Sequence, residues 1–147
     1  MNFTKSIFDK KNLTQFLSAI PYVQFLDINV DNISESSITL RASLDKWLLV
    51  SDKGAGINFG FIYGVIDTVA YLAILNHLGI YKSAVTLSLK VDHFINDISS
   101  NNLYFKAEYI KIKKQYAYSY VTVFDLDGKS VANASAAFLF KSMEFIE

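Results

Sequence analysis

Apolar residues at Leu13, Phe16, Leu17 and Ile20 follow the three-four spacing of a short amphipathic helix over about residues 12–20. Pro21 is expected to end it, because the residue before a proline is driven out of the helical region. Two strands are predicted next, over about 23–30 and 37–43. In the second, Ile38, Leu40 and Ala42 alternate with Thr39 and Arg41, so one face is buried and the other wet. Residues 45–57, carrying Gly54 and Gly56, read as a loop. From Phe59 to about Leu78 the chain is apolar on nearly all sides, which marks a buried helix, and Gly79 is placed to cap its end. Val85, Leu87, Leu89 and Val91 then alternate with Thr86, Ser88, Lys90 and Asp92, the pattern of a strand with one apolar face. Strands over 103–112 and 116–124 follow, then a turn at 125–128 with a glycine available for positive φ, then a strand over 131–140 that closes the sheet. A lone, fully apolar helix needs a sheet to wrap it. The predicted class is α+β: about six antiparallel strands around one long helix, preceded by a short one, in a single domain spanning 1–147.

Composition narrows the function. The chain is 52% apolar, a surplus for its 147 residues that predicts an oligomer interface. Fourteen basic residues balance fourteen acidic ones, whereas a polynucleotide partner calls for a basic excess. The absence of cysteine removes disulfides, thiolate metal sites and a cysteine nucleophile together. The first eleven residues mix charges with single apolar residues, unlike a signal peptide, and a cytoplasmic location is expected. The apolar stretch 59–75 is short for a membrane span and carries Asp67 at its middle, so a buried helix is the better reading.

Few residues are left to do chemistry. No nucleophile elbow, zinc-protease helix or glycine-rich dinucleotide loop is present, and Gly128-Lys129-Ser130 lacks the earlier glycine of a phosphate loop. His77 and His93 read as surface or packed histidines. Asp67 stands apart: its neighbours one helical turn away are Tyr63, Gly64, Ala70 and Tyr71, with no Lys or Arg in reach. Such a carboxylate must be hydrogen-bonded, line a wet cavity or titrate, so a structural aspartate and a general base are both open. Asn58 suits an N-cap, and Phe59 and Gly60 after it are expected to present unpaired N–H groups able to hold a carbonyl oxygen. Lys111, Lys113 and Lys114 form a basic run, read as a solvated hairpin end or a contact for phosphates.

The stretch Asn58-Phe-Gly-Phe-Ile-Tyr-Gly-Val-Ile-Asp67-Thr-Val-Ala resembles the start of the central helix in PaaI-like (phenylacetate-type) hotdog thioesterases. The likeness continues through Ala84-Val-Thr-Leu-Ser-Leu-Lys-Val-Asp-His-Phe94 and Asp127-Gly-Lys-Ser-Val-Ala-Asn-Ala-Ser-Ala-Ala-Phe138. Where that family reads His-Gly-Gly, this chain has Asn58, Phe59 and Gly60. The resemblance implies hydrolysis of an acyl-CoA or acyl-carrier thioester, without metal or redox cofactor, in a homodimer or dimer of dimers with no membrane partner. Asp67 takes the place of the general base or nucleophile. Gly60 falls at the oxyanion donors, and Thr86 near a partner-subunit hydroxyl that holds the water. Asp52 falls near a position often Asn, with Phe59, Tyr63 and Lys113 against the substrate. The altered His-Gly-Gly positions keep open a second reading, a hotdog protein that binds acyl-CoA without turning it over.

Overall fold

The computed structural model describes residues 9–51, 54–94 and 101–141 of the chain. Helix α1 (Lys10–Ser18) starts earlier than its apolar pattern suggests, because the Asp9 side chain caps it by accepting from Asn12 N at 2.7 Å. Leu13 and Leu17 are its buried residues. Pro21 starts a helix rather than merely ending one. It opens α2 (Pro21–Leu26), where its fixed φ suits the first helical position, and Ile20 before it is extended, as a following proline requires. The strand expected from residue 23 therefore begins later, at β1 (Ile28–Ile33), after Asp27 ends α2 in the left-handed region at φ 53°.

β2 (Ser37–Ser43) lies where alternation predicts it, although Thr39 on its expected wet face is buried. The segment read as a loop instead contains a hairpin, β3 (Leu48–Ser51) with β4 (Gly54–Ile57), whose two glycines hid its strand character. Asn58 N extends that pairing by donating to Trp47 O at 2.9 Å. Helix α3 (Phe59–Leu78) then runs between an Asn58 cap and a left-handed Gly79 at φ 72°. It is long and apolar enough to cross a membrane, yet Ile62, Val65, Ile66, Val69, Ile74 and Leu75 are wholly covered by the rest of the chain. Each such side chain stabilises the fold by about 1.5–3 kcal/mol. Ser119 Oγ donates to Ala70 O at 3.1 Å and ties the helix to the sheet through the core.

Four strands follow: β5 (Ala84–His93), β6 (Asn102–Lys113), β7 (Tyr116–Phe124) and β8 (Ser130–Phe140). Gly128 takes φ 81° in the turn before β8, and the buried Asp125 carboxylate accepts from Asp127 N and Lys129 N within it. The antiparallel sheet has the order β1-β2-β6-β7-β8-β5. The last strand does not close it: β8 lies inside and β5 takes the edge. A long buried helix on a six-stranded antiparallel sheet, with a short helix ahead of it, is the hotdog arrangement.

Candidate active site

The start of α3 differs from its expected form. Asn58 Oδ1 accepts from Gly60 N at 2.9 Å and Phe61 N at 3.4 Å, so Gly60 N–H is already engaged by the cap. Phe59 N–H has no partner among the described residues, which reduces the expected pair of open donors to one. Gly60 permits the tight cap, since a Cβ there would stand 3.0 Å from Asn58 Oδ1. Farther along, Gly64 lets Tyr22 of α2 lie on the helix; a Cβ would meet the Tyr22 hydroxyl at 2.3 Å.

Two turns on, Asp67 is half-buried and Thr86 Oγ1 donates to its Oδ1 at 2.7 Å. This length suits a hydroxyl bonded to a carboxylate. The threonine that holds the carboxylate here belongs to the same chain as the aspartate, whereas the resemblance gives that place to a partner subunit's hydroxyl. A bulge in β5 aims it. Thr86 pairs with Phe138 and Ser88 with Ala137, leaving Leu87 as the extra residue. The insertion reverses the phase of the strand, so Thr86 faces α3 and so do Leu89, Val91 and His93. Val85 and Leu87, expected on the buried face with Leu89, are instead 59% and 49% exposed.

His93 keeps the phase of Leu89 and Val91 and reaches the same face. The His93 ring lies 4.4 Å from that of Phe59 and 5.7 Å from that of Tyr63. Phe59, Tyr63 and Asp67 are spaced by four along α3, so one helix face meets the inner face of β5 along a seam, with Thr86 at one end and His93 at the other. Alternation from Leu89 and Val91 already places His93 on this face, and it is Thr86 that only the bulge brings in. Tyr71 continues the stripe. Its hydroxyl donates to Lys82 O, and burial, with Tyr81 nearby, pushes its pKa well above the ordinary tyrosine value.

Lys113 is not brought to this seam within one chain. It pairs with Tyr116 at the far end of β6, with β7 and β8 between it and β5. Lys114 lies in the following turn at φ 56°. Asp52 lies outside the described residues. His77 is an exposed residue whose ring stacks on Tyr109 with centres 3.6 Å apart, and the partial burial lowers its pKa. Among the described residues no cluster of His, Asp and Glu could hold a metal ion. Cavities of about 260 Å³ between α1, α2 and β1 and about 280 Å³ beside Ser83, Val85 and Leu139 are both lined without Asp67.

No protein-family model matches the chain. A candidate esterase of Thermoplasma acidophilum is 25% identical over 123 residues, covering 84% of this chain and 90% of its own length. Among solved structures, a thioesterase of Haemophilus influenzae superposes with a TM-score of 0.77 at 16% identity, covering 97% of this chain and 98% of its own. A candidate thioesterase of a Silicibacter species gives 0.78 at 22% identity, over 91% and 92%. A variant of the phenylacetic acid degradation protein PaaI from Thermus thermophilus gives 0.68 at 21%, over 82% and 98%. In fold, the chain is similar to the hotdog proteins of the thioesterase superfamily.

Proposed function

We propose that the protein hydrolyses an acyl-CoA or acyl-carrier thioester to a free acid and a thiol, with Asp67 as general base or nucleophile. The Asp67–Thr86 pair carries this reading: a half-buried carboxylate, accessible on one side, held by a hydroxyl from the strand opposite. The esterase and thioesterase names among its relatives support the same reaction class. Asp67 takes a proton from water as the water oxygen attacks the carbonyl carbon. The negative charge gathers on the carbonyl oxygen against Phe59 N–H, where the helix dipole adds to the hydrogen bond. Collapse then breaks the C–S bond, and the departing sulfur takes up the proton. Direct attack by the carboxylate, with water opening the resulting anhydride, uses the same groups.

The site needs two copies of the chain. Phe59 N–H and Asp67 are eight residues apart, roughly 12 Å along a helix. Donor–oxygen and base–water contacts of about 3 Å each cannot bridge that span across one carbonyl. The donor therefore belongs to a second copy, which a homodimer supplies. A non-catalytic acyl-thioester binder is the second reading, and the Asn58 side chain on Gly60 N–H is the observation that favours it.

Thiol release from short, medium, long and aromatic acyl-CoAs tests the choice, comparing the wild type with Asp67→Asn. Turnover lost in a folded variant supports hydrolysis. Saturable binding of the same thioesters with no turnover supports the binder.

A further inference from the structure

The seam between α3 and β5 is open at one end and walled at the other. Toward the start of α3 it is bordered by the exposed Phe59 and Tyr63, and β8 presents only Ala132, Ala134 and Ala136 beside His93, Val91 and Leu89. Past Asp67 the side chains become large. Phe138, 2% exposed, is the cross-strand partner of Thr86, and the Tyr71 ring lies 5.9 Å from it at 46°. The aromatic pair is thus built on the next helix turn after Asp67 and on the strand rung of Thr86. Tyr71 is fixed there, since its one O–H donates to Lys82 O just before β5. With that proton already donated, and burial opposing its loss, Tyr71 is a wall and not an acid or base.

We infer that Tyr71 and Phe138 close the acyl end of the site and restrict it to thioesters of short acyl groups, an inference that rests on the hydrolytic reading of Asp67. The large, polar thiol carrier must stay in solvent and so occupies the open end, which leaves the acyl group facing the wall. Asp67 and Tyr71 are one turn apart, roughly 6 Å along the helix axis, so the ring stands next to the carboxylate and leaves little length for an acyl chain. A longer chain has to displace a ring that is packed on one side and hydrogen-bonded at its tip.

The test is a series of straight-chain acyl-CoAs from acetyl to dodecanoyl, read as kcat/KM by thiol release. It is paired with affinities for the matching S-alkyl-CoA thioethers, which cannot be hydrolysed. Wild type favours short members. Tyr71→Ala raises kcat/KM for the long members relative to the short by at least about tenfold, the scale at which an apolar pocket discriminates a few methylenes. Tyr71→Phe, which keeps the ring, preserves the wild-type ranking, and Tyr118→Ala on the outer face serves as control. Phe138→Leu shifts the ranking in the same direction, should Tyr71→Ala not fold. A ranking unmoved by Tyr71→Ala or Phe138→Leu, or moved instead by Tyr63→Ala, overturns the inference while hydrolysis stands. Absence of turnover, with a thioether length limit that Tyr71→Ala relaxes, overturns hydrolysis and upholds the wall.

Discussion

At the scale of single residues the proposed chemistry rests on Thr86 and Asp67, and their bond can be removed without changing shape. Thr86→Val deletes the donor and keeps the branched side chain. A hydrogen bond to a charged group contributes about 1.5–3 kcal/mol, so kcat should fall roughly ten- to a hundredfold with KM little changed. Thr86→Ser should recover most of the loss, and an undiminished kcat in Thr86→Val would show that the hydroxyl is only structural. Asn58 offers a test with opposite signs. Asn58→Asp places a full negative charge at the positive end of α3, which should stabilise the fold by about 0.3–1 kcal/mol. The same charge repels an oxyanion held by the helix start, so kcat should drop as Tm rises; a kcat that rises with Tm would move the oxyanion elsewhere. His77 makes stability depend on pH. Burial lowers its folded pKa below the unfolded value of 6.5, so the unfolded state binds the proton more tightly. Its contribution is complete above that value and is lost as pH falls through the folded pKa. Thermal melts across this acidic range should show His77→Phe losing less Tm than the wild type.

The elements were largely legible in the sequence, and the exceptions have local causes. α3 and β7 occupy their predicted residues because a continuous apolar run and a clean alternation leave no competing pattern. α2 was hidden by its own proline, which reads as a terminator although it equally suits a helix start. In β5 the four alternating aliphatic residues suggest one face, and the bulge at Leu87 divides them between two. Asp67 was readable as a candidate because a carboxylate on an all-apolar helix is costly, and His93 follows the phase of Leu89 and Val91, but Thr86 as the partner of Asp67 in the same chain depends on that bulge. A pair of substitutions tests it. Leu89→Ser faces the helix and should destabilise by at least about 1 kcal/mol more than Leu87→Ser, which lies on the exposed side. Equal losses in denaturant melts, run at a dilution where both variants are single chains, would mean that the strand is regular and that Thr86 is aimed otherwise.

The two edges of the sheet are unlike, and the difference bears on the two-copy site proposed above. β1 carries exposed Asn29, Asp31 and Asn32 and an irregular register at Val30/Asn32, features that discourage pairing with another strand. β5 offers exposed Val85 and Leu87 at its start, while exposed Phe94 follows its other end and exposed Phe59 lies against His93 there. An antiparallel second copy on β5 would extend the sheet beside Val85 and Leu87 and bring the start of one α3 toward the middle of the other. That is the approach needed to join Phe59 N–H to an Asp67 it cannot reach in its own chain. Leu87→Lys places a charge on this edge without touching Asp67, Thr86 or the start of α3. Its mass by light scattering should fall to that of a single chain, with secondary structure by circular dichroism retained and thiol release lost. A single-chain Leu87→Lys variant that still turns over thioester at the wild-type rate would place donor and base in one chain, and the two-copy site would have to be abandoned.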